Sequence, residues 1–99
     1  MFAVIYQFSV KTGKEQQFCD AWKKLTELIM NYEDSLGSRL HHESDQTYIA
    51  YAQWKSREQW ENAGAKLPES AVKFRELMKD ACKEIKTIHE LEVIADLLI

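Results

Sequence analysis

Phe2, Val4, Tyr6, Phe8 and Val10 alternate with Ala3, Ile5, Gln7 and Ser9, a period of two that marks a β-strand at the start of the chain. One side of that strand is strongly apolar, and the other is mixed rather than polar. Such a strand needs cover on both faces, which limits the architectures open to a chain of 99 residues.

The segments that follow decide among them. Thr12 and Glu15 have the spacing of a capping box around Gly13 and Lys14. Phe18, Trp22, Leu25, Ile29 and Tyr32 then recur at spacings of four and three, predicting a helix of about five turns that ends near Glu33. Asp34 to Gly37 stops it. Ser38 to Glu43 and Thr47 to Trp54 read as two strands joined by a hairpin at Ser44, Asp45 and Gln46. A second capping box, Ser56 with Gln59, opens a short helix carrying Trp60 and Ala63; Gly64 breaks it, and Pro68 permits a new start. Phe74, Met78, Ala81 and Ile85 set the apolar stripe of a helix predicted from Glu69 to Ile85, and Thr87 to Ile99 alternates as a last strand.

The order βαββαβ in one domain, residues 1–99, predicts an α+β class: a ferredoxin-like unit with a four-stranded antiparallel sheet. The helices of one chain suffice to cover only one sheet face, so the other is expected to be buried by a second copy, giving a homodimer. The apolar ending Leu97-Leu98-Ile99 is expected to reach that partner, the alternative being that it folds over the chain's own core.

Composition narrows the function. Hydrophobic residues make up 45% and charged residues 29%, and no apolar run approaches the roughly 18 residues of a spanning helix. No leader pattern precedes the first strand, so a cytoplasmic location is expected. A net charge of −3 with interspersed Lys and Arg gives no footprint for nucleic acid or an anionic membrane. Cys19 and Cys82 have no close cysteine neighbour to suggest zinc or a redox pair. Gly13, Gly37 and Gly64 each have a turn or helix-ending role, and neither a phosphate loop nor a nucleophile elbow is present.

Val4-Ile5-Tyr6 leading to Lys11-Thr12-Gly13-Lys14, and Tyr51-Ala52-Gln53-Trp54-Lys55-Ser56 with Trp60 six positions after Trp54, resemble the antibiotic biosynthesis monooxygenase domain family. The likeness runs from Phe2 to about Val93. It implies a dimeric α+β barrel and a cofactor-independent monooxygenase that oxidises a small aromatic phenol or quinol without metal or flavin. In such chemistry the substrate loses a proton and passes an electron to oxygen, so the protein supplies a dry cavity, an orienting or basic group and aromatic walls. Tyr6, Trp54, Trp60 and Phe74 are the candidate walls, with Ala50 and Ala52 leaving volume beside Trp54; ordinary packing is the other reading of each aromatic. Haem-degrading relatives use an Asn in the first strand, a Trp in the short helix and a His in the next, where this chain has Tyr6, Ala63 and no His. Many quinol-oxidising relatives also place a His at the position of Ala63.

His41 and His42 are the candidate acid–base groups. As neighbours in a strand they point to opposite faces, so only one can enter a given pocket and the two cannot chelate together. His89, in the last strand, is expected at the far edge of the sheet, and no metal site is expected. No single residue is marked as catalytic. The alternative function is a non-catalytic, small-ligand-binding or stress-related dimer that keeps the cavity without the chemistry.

Overall fold

The computed structural model describes residues 1–98. Strand β1 (Phe2–Val10) is followed by helix α1 (Glu15–Glu33), strands β2 (Gly37–Ser44) and β3 (Thr47–Trp54), helices α2 (Arg57–Glu61) and α3 (Ser70–Asp80), and strand β4 (Cys82–Glu92). The sheet order is β2-β3-β1-β4 with every neighbouring pair antiparallel, which is the ferredoxin-like arrangement. No helix is long and apolar enough to cross a membrane among the described residues.

The alternation in β1 sets the layers. Phe2, Val4, Phe8 and Val10 are at most 3% exposed and pack beneath the helices, together with Ala50, Ala52 and Trp54 of β3. Phe18, Ala21 and Leu25 bring the buried stripe of α1 onto that face, and the Phe18 ring lies 4.9 Å from Phe8 and 5.2 Å from Tyr48. Cross-strand partners share a face, so Ile5, Ile49 and Tyr51 stand together on the opposite side of the sheet, where the chain has no helix.

Tertiary contacts replace one of the two expected capping boxes and leave the other's serine cap in place. Ser56 accepts a hydrogen bond from the Gln59 amide at 3.2 Å and caps α2. At α1 the cap position is Lys14 and no side chain caps it. The Glu15 carboxylate instead accepts from the Gln46 side chain at 3.0 Å, and the same amide group donates to the Val10 carbonyl, tying the start of α1 to the β2–β3 hairpin.

The second half of the chain corrects two boundaries. The helix expected to reach Ile85 stops at Asp80, because Ala81 and Cys82 are drawn into the core with Phe8, Val10 and Phe18 while the Lys11 amide donates to the Ala81 carbonyl at 2.8 Å. Ile85 consequently pairs with Phe8 in the sheet, and β-branched Ile85, Thr87 and Ile88 sit in the strand they favour. The last strand ends at Glu92. Its neighbour β1 begins at Phe2, and after the Val93 amide donates to the Met1 carbonyl at 2.9 Å no further strand pairs with residues 94–98 among the described residues; the Leu98 amide instead donates to the Asp96 carboxylate at 2.9 Å. The part of the expected strand at Ile99 lies outside the described residues.

Candidate functional site

The site lies between the sheet and the helices. Tyr6 comes from the middle of β1, Trp54 from the end of β3, Trp60 from α2 and Arg75 from α3. Small side chains make the space: Ala50 and Ala52, beside Tyr6 and Val4 in the sheet, leave an inner cavity of about 250 Å³ walled by Tyr6, Trp22, Ile29, Trp54 and Met78. A more open cavity of about 460 Å³ adjoins it, sharing Tyr6, Ile29, Trp54 and Arg75 and bounded outside by Trp60, Glu61 and Leu67. Tyr6, Trp54 and Trp60 are thus brought together.

Tyr6 and Trp60 form the polar contact of this group: the Trp60 indole N–H donates to the Tyr6 hydroxyl oxygen at 2.7 Å. Burial pushes the Tyr6 phenol above its ordinary pKa; the Trp60 bond opposes that rise, and the Glu90 charge adds to it. Tyr6 therefore stays protonated at neutral pH. It can donate a hydrogen bond, but it is no base. Trp54 is 4% exposed, and its indole nitrogen is buried without a hydrogen-bond partner among the described residues, which is unfavourable for a donor withdrawn from water.

Phe74 is placed elsewhere. It lies in an outer depression between α1 and α3 with Gln17, Lys24 and Leu77, the Lys73 ammonium 5.9 Å from its ring centroid. The face of α3 turned to the sheet runs instead through Ala71, Arg75 and Met78, at spacings of four and three. Arg75 is the functional candidate that sequence reasoning missed. The signal was a cation on the same helical face as Ala71 and Met78, obscured because Phe74 and Ile85 were assigned to one stripe.

The histidines stand apart from the cavity. His41 is opposite Ile49 on the face without helices, where its Nδ1–H donates to the Ile49 carbonyl at 3.0 Å. His42 is on the other face, its ring 5.0 Å from Tyr48 and its Nε2–H bonded to the Asp45 carbonyl at 2.9 Å. His89 pairs with Ile5 from the far edge strand. Among the described residues no three His, Cys, Asp or Glu side chains converge as metal ligands would. The inner cavity has no histidine or carboxylate among its described lining residues.

A second depression, about 660 Å³ and open to solvent, lies on the helix-free face between Ile5, Leu36, Arg39, His41, Tyr51 and Leu98.

A ferredoxin-like sheet with one helix-covered face, enclosing an aromatic cavity, defines a class of small α+β proteins. The family model Antibiotic biosynthesis monooxygenase matches residues 1–66, and the chain belongs to that family. Solved structures share its fold at low sequence identity. SnoaB, a cofactor-independent oxygenase from Streptomyces nogalater, is 13% identical, with a TM-score of 0.75 over 97% of this chain and 95% of that one. A Nitrosomonas europaea protein described as a candidate antibiotic biosynthesis monooxygenase is 18% identical, with a TM-score of 0.77 over 96% of this chain and 100% of its own. Rv0793 from Mycobacterium tuberculosis is 12% identical, with a TM-score of 0.74 over 98% of both chains. No curated protein matches the chain in sequence.

Proposed function

We propose that this protein is a homodimeric, cofactor-independent monooxygenase that oxidises a small aromatic phenol or quinol in the cavity beneath its helices. The carrying observation is the cavity itself: aromatic walls from Tyr6, Trp22 and Trp54, with a hydrogen-bonded Tyr6–Trp60 pair at its mouth. Family membership and the fold shared with SnoaB, named as a cofactor-independent oxygenase, support the reaction class. The ionised substrate passes an electron to dioxygen; one oxygen atom ends as a carbonyl on the substrate, and the other leaves as water, taking one hydrogen from the oxidised carbon and one proton equal to that lost when the substrate ionised. The protein holds the ring flat, excludes water and donates from Tyr6 to the oxygen on which negative charge collects. A cytoplasmic location belongs to the same reading, as do two free thiols, Cys19 and Cys82.

The test is oxygen consumption by the purified protein with a panel of anthrones and quinols. Turnover that falls at least tenfold in Tyr6→Phe supports the reading; no uptake with any of them sinks it.

One observation favours the second reading, a ligand-binding dimer without catalysis: the inner cavity has no group able to take a proton at neutral pH. Thermal stabilisation by the same compounds, with no oxygen uptake, is its signature.

A further inference from the structure

We infer that the cavity takes its ligand as an anion, a flat aromatic acid or acidic phenol already ionised in solution, and that Arg75 is the residue that holds its oxyanion. This deepens the ligand-binding core of the proposed function and rests on it.

The charges around the cavity are unequally matched. Arg57 is 2.5 Å from Glu90 and 3.7 Å from Glu61, and its guanidinium lies 4.6 Å from the centroid of the Phe2 ring. One arginine therefore engages both carboxylates on that side. Arg75 walls the inner and outer cavities alike, is half-buried, and has no ion pair or side-chain hydrogen bond among the described residues. A guanidinium withdrawn from water without a counter-charge is unfavourable unless something arrives to complete it.

The neutral groups point the same way, because they donate. The Tyr6 oxygen already accepts from Trp60, and among the described residues its own hydrogen has no acceptor. Trp54, another lining residue, has a buried indole N–H that is unpaired among the described residues. The inner cavity, with donors and a cation but no carboxylate or imidazole among its described lining residues, suits an oxyanion better than a neutral ring, and Glu61, which borders the outer cavity, has Arg57 as its ion-pair partner. It also removes the need for a base, since a ligand that arrives ionised has already lost its proton.

Quenching of the fluorescence of Trp22, Trp54 and Trp60 reads binding directly and requires no turnover. Titrations with 2-naphthoate against its neutral isostere 2-naphthamide, and with 4-nitrophenol above and below its own ionisation, separate a carboxylate from a phenolate. The anion in at least one pair is expected to bind about tenfold or more tightly than its neutral counterpart, the range for a charge-assisted hydrogen bond. Arg75→Gln should abolish that preference, lowering anion affinity about tenfold or more relative to that of the neutral partner, and Arg75→Lys should keep part of it. Retention of the wild-type unfolding midpoint in both variants shows that the fold is intact. Equal binding of anion and neutral partner in both pairs overturns the assignment of Arg75 and leaves the cavity as a ligand site. Failure of all the probes to bind removes the cavity reading as well.

Discussion

At the scale of single residues, Tyr6 links packing to chemistry. Its phenol is held neutral by burial, and the Trp60 indole moderates that effect by stabilising the phenolate. Two outcomes follow. In an alkaline absorbance titration Tyr6 should ionise above pH 10, and Trp60→Phe should move that ionisation higher still. The sign for stability follows from linkage: a phenol whose folded pKa is raised contributes stability fully present below the unfolded value near 10, lost as pH rises through the folded value. Denaturant midpoints that are flat from pH 7 to 9 and fall above 10 would agree, and a Tyr6→Phe variant should lose this part of the decline. Cys82 offers a companion case, since burial pushes its thiol up to about 11. Alkylation by iodoacetamide at pH 8 should be slow in the native protein and become rapid on unfolding; rapid native modification of Cys82 would contradict its packing with Phe8 and Phe18.

At the scale of elements, the contacts between α1 and α3 shape the cavity roof. Lys14 reaches Asp80 at 2.6 Å, while Gln17 donates to the Leu77 carbonyl at 2.9 Å and to Asp80 at 3.0 Å, closing the outer seam. These hydrogen bonds, with the Lys14 charge, hold the Asp80 carboxyl down to about 2. A depressed carboxylate contributes above its unfolded pKa and loses that contribution as pH falls through the folded value, so the Asp80 share of stability should disappear between about pH 4 and 2. The group is fully exposed, so the effect should be small and should shrink in high salt. Comparing wild type with Asp80→Asn across that pH range, at low and high salt, isolates it.

The same elements show what sequence periodicity could and could not reveal. Strand β1 and helix α1 were legible because each keeps one period throughout, two for the strand and about 3.6 for the helix. The α3–β4 junction was not. Phe74, Met78, Ala81 and Ile85 fit a helical stripe, yet Ala81 and Cys82 are buried by contacts with β1 and α1, which are distant in sequence and override local propensity. That error of register also concealed Arg75. Glu33 was read only as the end of a helix, but it is 6% exposed and accepts from the Lys66 amide at 2.7 Å, fastening the loop after α2 to the end of α1. No local pattern encodes that tie. Glu33→Ala should remove this hydrogen bond, and because Lys66 is exposed and water can replace the carboxylate, the cost should be about 1 kcal/mol in chemical denaturation; a change within measurement error would mean the tie adds nothing to stability.

At the scale of the whole molecule, the unresolved demand is the face of the sheet that carries no helix. Ile5, Ile49 and Tyr51 are half-buried there, beside Leu36, which is 43% exposed, and Leu91, at 45%. Beyond β4, Ile94 is 93%, Leu97 96% and Leu98 74% exposed, so this apolar tail finds little cover within its own chain. A second copy laid face to face would cover the sheet and the tail together, which is the physical basis of the proposed homodimer. Two variants separate the contributions. Ile49→Lys puts a charge in the middle of this face without touching the helix-side packing of Ala50 and Ala52, and should convert the protein to monomer in sedimentation analysis at micromolar concentration while its helical content persists. Deletion of residues 97–99 should weaken association by about tenfold if the tail grips the partner, a shift readable in the dissociation constant. A wild-type monomer at high concentration would rule out the pairing. A dimer unaffected by Ile49→Lys would place the interface elsewhere, and the exposed tail would then need a different partner.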